Sequence, residues 1–339
     1  MAAQPSRAHP QETPEAGAAA AAGAASETGR LALRNRPRSF AFPPRLVRKY
    51  FEASDGTRLA YYETGPRDGV PVVISAGLGG GVRAWSAVIE RLDEHCRLYA
   101  WDYRGLYASH PPPDPRHIGV EHHASDLDDL MTHLGLTGAV LAGWSMGVQV
   151  NFEWFRIRPS RPVAGLVCVH GTSGRIFETA FDGAPFTGAF ASVAPTIFQA
   201  MRRFGGGLRR PLDRLARSRR VAEGFMAFGR RVGVMDGALD PDLFHDMARD
   251  WVKLDLERYA DVFERLGAHD ASDLLPLIDV PALIVSGGRD KMTPKHRSDV
   301  LLRHLPRAEG FTLPDATHFG LLEYPDAIAT RILTFLRGL

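Results

Sequence analysis

The amino-acid sequence predicts an α/β protein with a mainly parallel, eight-stranded sheet and a helical segment inserted before the last two strands. Three observations carry this prediction. Short apolar runs alternate with amphipathic helical patterns along most of the chain, as in a parallel sheet covered by helices on both faces. A serine flanked by glycines stands between one apolar run and the helix that follows it. About a hundred residues without a strand-like run separate the sixth and seventh strands.

The strands are predicted from short apolar runs bounded by turn residues. These runs cover residues 46–53, 58–64, 70–75, 97–101, 138–142, 163–169, 280–286 and 310–313. The first two are joined by Ser54-Asp55-Gly56-Thr57, which carries the aspartate-glycine signal of a β-hairpin. Helices are predicted over residues 84–92, 120–134, 148–155, 294–304 and 326–336.

Residues 171–273 are predicted to form a helical cap over the carboxyl edge of the sheet, between core segments 45–170 and 274–339. Its phenylalanines suggest an apolar acyl or aromatic pocket, although each is explained at least as well as part of the cap's own core. They are Phe177, Phe181, Phe186, Phe190, Phe198, Phe204, Phe225 and Phe228. Any one of them therefore has two open interpretations.

The cap is strongly basic between residues 201 and 231. Leu208, Leu212 and Leu215 fall on one helical face there, with arginines around it. Such a segment could make a weak contact with an anionic membrane surface and admit lipid substrates. A solvated charged face is the alternative, and it is the interpretation that we favour.

Composition excludes several classes of protein. The 339 residues are 45% hydrophobic and 24% charged, as in ordinary globular proteins. A net charge of +2 offers no general attraction to nucleic acid. Cys96 and Cys168 lie in apolar runs and are expected to fill the core, so we predict no metal site and no cofactor. The oligomeric state is left open.

Residues 1–40 are rich in alanine, proline, glutamate and glycine, and we expect them to be disordered. Glu12 and Glu15 stand where the basic region of a signal peptide would be. No apolar run reaches the roughly 18–20 residues that span a bilayer. We therefore expect a cytoplasmic protein.

The turn Gly143-Trp144-Ser145-Met146-Gly147 follows a predicted strand and precedes a predicted helix. A serine on such a turn is held in a strained conformation, and its neighbours must be small for helix and strand to pass closely. Its hydroxyl then projects over the end of the sheet, near the N–H of Met146 at a helix N-terminus. The pattern predicts a nucleophile, although a glycine-rich turn without chemistry would also produce it.

A serine nucleophile needs a base, and that base needs an orienting carboxylate. Asp290 follows the seventh predicted strand, and His318 follows the eighth. Both loops leave the carboxyl edge of the sheet, so Ser145, Asp290 and His318 can converge. Asp315 is closer to His318 in sequence, but a turn-forming role suits it better.

The nucleophile turn and the order Ser145, Asp290, His318 resemble the α/β-hydrolase family over roughly residues 45–339. The resemblance implies an oxyanion hole formed by the N–H groups of Leu78 and Met146. It also implies substrate binding by Gly77, Gly79, Trp144 and Phe319. Trp144 either lines the acyl pocket or packs beneath it.

Two positions depart from the family's pattern. Ala76 stands where many relatives have histidine before the glycine, which makes the geometry of that loop less certain. Tyr107 replaces the second glycine of a D-x-R-G-x-G-x-S stretch that begins at Asp102. We interpret the residues of this second stretch as structural.

The resemblance implies hydrolysis of a carboxylic ester, lactone or thioester of a small apolar substrate through an acyl-enzyme. Ser145 argues against dehalogenases and epoxide hydrolases of this family, which use an aspartate nucleophile. Perhydrolase or haloperoxidase-like chemistry and hydrolysis of a carbon–carbon bond use the same triad and stay open. A ligand receptor that keeps the triad without turnover is the alternative outside the enzymes.

Overall fold

One eight-stranded sheet organises the chain in the computed structural model, which describes residues 45–180 and 189–339. The strands are β1 Val47–Glu52, β2 Arg58–Thr64, β3 Val70–Ser75, β4 Cys96–Trp101, β5 Val140–Trp144, β6 Gly165–Val169, β7 Ala282–Gly287 and β8 Ala308–Leu313. Their order is β1-β2-β4-β3-β5-β6-β7-β8. Strand β2 is antiparallel to both of its neighbours, and all the other pairs are parallel. The predicted fold class is confirmed.

The antiparallel edge begins with the predicted hairpin. Gly56 has a φ of 82°, a conformation that glycine adopts without strain. The carboxylate of Asp55 accepts hydrogen bonds from the N–H and the hydroxyl of Thr57 at 3.0 and 2.6 Å. These bonds close the turn locally, which is why it can be recognised from four consecutive residues.

Helices cover both faces of the sheet. Those in the described ranges are α1 Ser86–Leu92, α2 Val120–His133, α3 Met146–Ile157, α4 Ile176–Thr179, α5 Ala189–Ala216, α6 Arg219–Arg231, α7 Pro241–Trp251, α8 Leu256–Ala268, α9 Lys295–His304, α10 Gly320–Glu323 and α11 Pro325–Leu336. Helices α2, α3 and α9 share one buried cluster with Val73 and Leu141. Helices α1 and α11 share a second cluster with Val72 and Val140. Adjacent residues of a strand thus pack into buried clusters on opposite faces of the sheet, because strand side chains alternate between the two faces.

Element boundaries lie close to those predicted. Each predicted strand begins and ends within two residues of an observed one. The boundary difference that matters most for the site is at β5. This strand continues to Trp144, two residues beyond its predicted end, so Ser145 follows it directly. The helix predicted from residue 84 begins instead as a 3₁₀ turn, Val82–Trp85, before α1.

Between β6 and β7, the described residues form helices and no strand. All described residues belong to one compact unit, so the division into core and cap stays a prediction. The predicted disordered tail, Phe181 and Phe186 lie outside the described residues, as do the side chains of Phe190, Leu208 and Arg209. None of the helices in the described ranges is long and apolar enough to cross a membrane.

The loop after β4 makes buried polar contacts. Asp102 accepts hydrogen bonds from the Tyr62 hydroxyl at 2.8 Å and from the Ala108 N–H at 3.2 Å. Nε of Arg104 donates to Asp126 at 2.7 Å, and both side chains of this ion pair are buried. Removing one partner of a buried pair typically costs about 3–5 kcal/mol. These contacts hold the loop against β2 and α2, as expected of a structural element.

Candidate active site

Ser145 lies directly between β5 and α3, at the carboxyl edge of the sheet. Its φ and ψ angles are 55° and −116°, a region that non-glycine residues adopt at a cost of about 1–3 kcal/mol. Its N–H donates to the carbonyl of Val169 at 3.0 Å, so β6 helps to hold the strained residue. This geometry is that of the sharp turn predicted from the sequence.

The two glycines that flank Ser145 are required by close packing. A Cβ atom on Gly143 would lie 2.6 Å from the carbonyl carbon of Gly147. A Cβ atom on Gly147 would lie 2.0 Å from the carbonyl oxygen of Ser75 in β3. Both clashes involve backbone atoms, which cannot rotate away as a side chain can.

The structure brings Ser145, His318 and Asp290 together. The Nε2 atom of His318 lies 2.9 Å from Ser145 Oγ. Its Nδ1 atom lies 3.0 Å from Asp290 Oδ2. His318 and Asp290 are both buried. A hydroxyl, an imidazole and a carboxylate in this order can transfer the hydroxyl proton to the imidazole while the carboxylate fixes the ring.

The carboxylate of Asp290 receives several hydrogen bonds. Its Oδ1 accepts the N–H groups of Met292 and Thr293 at 2.9 and 2.8 Å. Its Oδ2 accepts the Thr293 hydroxyl at 2.7 Å. Burial alone would raise the pKa of Asp290, but the charge and hydrogen bonds of His318 and His170 outweigh it and hold that pKa well below its usual range. Asp290 is therefore ionised at neutral pH.

His170 is a site residue that the sequence analysis missed. It follows β6, its side chain is fully buried, and its Nδ1 lies 3.2 Å from Asp290 Oδ2. Its φ of 46° is again in the left-handed region. The only signal in the sequence was its place after a strand that ends at the carboxyl edge, and a single histidine in a loop is too common to single out.

Asp315, the weaker candidate for the orienting acid, is exposed and pairs with Nη2 of Arg289 at 2.9 Å. It therefore takes part in a surface ion pair, whereas Asp290 meets the histidine.

The glycine-rich loop after β3 packs against Trp144. A Cβ atom on Gly77 would lie 2.6 Å from Trp144 Cε3, and one on Gly80 would lie 2.4 Å from Cζ3. The indole Nε1 of Trp144 donates to the carbonyl of His318 at 3.1 Å. Trp144 thus supports the histidine loop and the glycine loop together.

Ala76, at the start of the glycine-rich loop, is held by a buried hydrogen bond. The Tyr103 hydroxyl donates to the carbonyl oxygen of Ala76 at 2.6 Å. This bond ties the glycine-rich loop to the loop after β4. Met146, whose N–H is a predicted oxyanion donor, is the first residue of α3, so the helix does not use that N–H.

A cavity of about 540 Å³ contains the predicted site. Leu78, Gly79, Trp144 and Phe319 line it together with Ser145 and His318. Gly77 does not line it but packs against the ring of Trp144. The two interpretations of Trp144 are therefore compatible, because its ring both lines the cavity and packs under the loop.

The helical segment supplies most of the cavity wall, and that wall is overwhelmingly apolar. Its large side chains include Phe225, Phe244, Met247, Trp251, Tyr259 and Phe263. Among the phenylalanines noted in the sequence whose side chains the structure describes, only Phe225 lines this cavity.

The other described phenylalanines have different roles. Phe177 and Phe198 pack on one another, with ring centroids 5.7 Å apart, and so belong to the core of the helical segment. Phe204 and Phe228 are exposed. Composition indicated an apolar segment but could not identify which rings face the cavity.

Comparison with a family model described as alpha/beta hydrolase fold matches residues 70–325. A thermophilic esterase from Thermogutta terrifontis is similar in structure, with a TM-score of 0.64 and 26% sequence identity, covering 86% of this chain and 98% of the esterase.

Two curated proteins are each 25% identical to this chain. One is the cis-3-alkyl-4-alkyloxetan-2-one decarboxylase of Xanthomonas campestris pv. campestris, matched over 85% of this chain and 95% of that protein. The other is 3-oxoadipate enol-lactonase 2 of Acinetobacter baylyi, matched over 79% of this chain and 89% of that protein.

Gly147→Ala is expected to lower the free energy of unfolding by about 1–3 kcal/mol, because the new methyl group would overlap the backbone of β3. Urea unfolding measures the change. The control is Gly206→Ala in α5, where a Cβ atom meets nothing within 4 Å, so stability should stay the same or rise by up to about 1 kcal/mol. Equal stabilities for the wild type and Gly147→Ala would contradict the close approach.

Proposed function

Because the chain belongs to the α/β-hydrolase family, we propose that it is a serine hydrolase that cleaves an ester of an apolar acyl group through an acyl-enzyme. At the level of the family, its activity is esterase- or lactonase-like hydrolysis. To this activity the proposal adds a serine nucleophile and an apolar acyl group. The observation that carries them is the 2.9 Å contact of His318 Nε2 with Ser145 Oγ in the wall of an apolar cavity.

In the first half of the reaction, Ser145 Oγ attacks the ester carbonyl while His318 Nε2 takes its proton. The ionised Asp290 keeps the proton of His318 on Nδ1 and stabilises the imidazolium that forms. The tetrahedral intermediate then collapses, and the imidazolium returns its proton to the departing alkoxide. The products of this half are the alcohol and the acyl-enzyme on Ser145.

In the second half, His318 removes a proton from water as the water attacks the acyl-enzyme. Collapse of this second intermediate returns the proton to Ser145 and releases the acid. The same imidazole therefore serves as base and acid in both halves, and no cofactor is needed for the proton transfers.

The developing oxyanion is assigned to the N–H groups of Leu78 and Met146. Leu78 lines the cavity beside Ser145, and the N–H of Met146 is not used by its own helix. Removing one such donor typically costs about 2.7–4 kcal/mol of barrier. Both donors belong to the backbone, and the position of the Leu78 N–H depends on the packing of the glycine-rich loop against Trp144.

The apolar wall supports an apolar acyl substrate. Apart from Ser145 and His318, the cavity is lined almost wholly by aliphatic and aromatic side chains. Each methylene group moved from water into such a wall is worth about 0.8 kcal/mol, or about fourfold in kcat/KM when the transition state is bound equally well. A polar acyl group would lose hydrogen bonds to water without replacing them.

Ser145→Ala and His318→Ala should each lower kcat by about 10⁶-fold, and the double variant should be no worse, because the side chains act as a unit. Asp290→Asn should lower kcat by about 10⁴-fold through the wrong histidine tautomer. Initial rates on p-nitrophenyl butyrate measure these losses. A fluorophosphonate probe should label the wild type and not Ser145→Ala. Additive losses, or labelling that persists in Ser145→Ala, would remove Ser145 from its role.

A p-nitrophenyl ester series from acetate to palmitate should show kcat/KM rising by about fourfold per methylene before it levels off. Ala248→Phe narrows the cavity, because Ala248 lines it, and should move the optimum to shorter chains. Ala227→Phe is the matched control on an exposed position outside the cavity wall. A flat profile, or the same optimum in both variants, would contradict an acyl pocket in this cavity.

Three further assays separate the other functions that this triad allows. Peracid formation from acetate and peroxide that exceeds ester hydrolysis would favour a perhydrolase, and cleavage of a coloured ring-fission product would favour a carbon–carbon bond hydrolase. Ligand binding without turnover of any ester, thioester or lactone would favour a receptor.

A further inference from the structure

Helices α5 and α6 each carry a row of exposed apolar side chains. On α6, Val221, Phe225 and Phe228 are exposed, the two rings by 58% and 61%. At about 100° per residue they lie within about 60° of one another around the helix axis. On α5, Phe204 and Leu215 are exposed by 55% and 50%, and they lie within about 20° of one another.

The exposed rows lie on different faces of the helices from the residues that pack against the rest of the protein. Helix α6 buries Ala222, Met226 and Gly229, which form a separate row beside the exposed one. Helix α5 buries Ala194 and Phe198 against α8. Exposed phenylalanines in rows are uncommon on a monomer without a function for the surface.

The remaining sides of the two helices are basic. From residue 189 to residue 231 there are ten arginines against Asp213 and Glu223, a formal charge of +8, whereas the whole chain carries +2. Arg202, Arg217 and Arg219 have acidic partners. Arg210, Arg214, Arg220 and Arg231 have none among the residues that the structure describes. An apolar row with arginines beside it is the pattern of a helix that lies in a membrane interface.

Three residues of the exposed rows also belong to the wall of the cavity. Leu215, Val221 and Phe225 are exposed to solvent and also line the cavity that contains Ser145 and His318. An apolar molecule that leaves a lipid phase at this surface could therefore reach the cavity without first dissolving in water.

We propose that the α5–α6 face, formed by Phe204, Leu215, Val221, Phe225, Phe228 and the arginines beside them, docks on lipid surfaces that carry anionic headgroups. The phenylalanines insert among the acyl chains, and the arginines bind the headgroups. This inference rests on the proposed function, since the docked enzyme takes its apolar ester from the lipid phase.

The charge of the α5–α6 face favours a lipid surface over a second copy of the chain as its binding partner. A symmetric dimer through this face would bring two segments of formal charge +8 together, and like charges oppose that contact. A lipid surface with negative headgroups supplies the opposite charge together with the apolar phase.

The test is flotation of the full-length protein with vesicles of ether-linked phosphatidylcholine, with and without ether-linked phosphatidylglycerol, which no esterase can cleave. Binding to anionic vesicles should exceed binding to neutral ones by about tenfold and should fall in high salt. Phe204→Ser/Phe228→Ser and Arg210→Gln/Arg214→Gln/Arg220→Gln should each reduce it to the neutral level. None of these five side chains lines the cavity.

Leu277→Ser and Arg303→Gln are matched controls, because both side chains are exposed outside α5 and α6. All variants should hydrolyse soluble p-nitrophenyl acetate at the wild-type rate. Equal binding to both vesicles, or full binding by the face variants, would overturn the docking surface while leaving the esterase intact. A solution dimer that Phe204→Ser/Phe228→Ser dissociates would also overturn it. Anionic-lipid binding without any ester hydrolysis would support the surface and remove the proposed function.

A separate observation concerns His170. With Asp290 ionised, Nδ1 of His170 must carry the proton, because two acceptors 3.2 Å apart would repel each other. Oδ2 of Asp290 then receives donors from His170, His318 and Thr293. The His170 ring is held between β7 and α10, where a Cβ atom on Gly287 or Gly320 would overlap it.

The geometry points to His170 as a positioning residue for the reaction, which acts by fixing the rotamer of Asp290 and through it the ring of His318. The backbone of His170 has a positive φ of 46°, a conformation that asparagine also adopts. An asparagine side chain could also donate to Asp290, as Nδ1 does.

His170→Ala should lower kcat by about 10- to 100-fold with KM unchanged, because a misoriented imidazole impairs proton transfer and not binding. His170→Asn should stay within about threefold of the wild type. The control is His123→Asn, which removes another fully buried histidine, one that packs on Tyr103, and should leave kcat unchanged. An unchanged kcat in His170→Ala would overturn this role. So would equal losses of kcat in His170→Ala and His170→Asn, accompanied by equal losses in the free energy of unfolding.

Discussion

The strained backbone of Ser145 is the constraint on which the rest of the site depends. A residue with a φ of 55° between a strand and a helix is held only if both elements pass close to it. Gly143 and Gly147 make that approach possible, and β3 and β6 close around the turn. The packing of the central strands thus offsets the backbone strain of Ser145.

Convergence at one edge of the sheet follows from parallel strands. Because β5, β6, β7 and β8 run in one direction, the loops after them begin at the same edge. Ser145, His170, Asp290 and His318 occupy those loops. The buried Asp290 then needs donors, and backbone N–H groups, a hydroxyl and two imidazoles satisfy it before any substrate arrives. Such preorganisation is the main way in which a folded protein lowers a barrier.

Most of the fold was predictable because its signals are local. The short apolar runs of the strands, the amphipathic faces of the helices and the Asp55-Gly56 turn are all patterns of a few neighbouring residues. The order of Ser145, Asp290 and His318 was readable for the same reason, since each follows its own apolar run. The absence of strand-like runs indicated a helical segment between β6 and β7. It did not show which helix faces line the cavity, because an apolar helix face looks the same in sequence whether it packs on another helix or lines a cavity.

The sequence by itself determined the sheet, the nucleophile turn and the three side chains that meet over it, because motifs and periodicity record constraints between near neighbours. Only the tertiary structure decided that His170 contacts Asp290, that Trp144 supports two loops at once, and that Trp251 and Tyr259 line the cavity while Phe228 faces solvent. These contacts join residues that are far apart in the chain. They depend on how elements pack in space, and no pattern of adjacent residues carries that information.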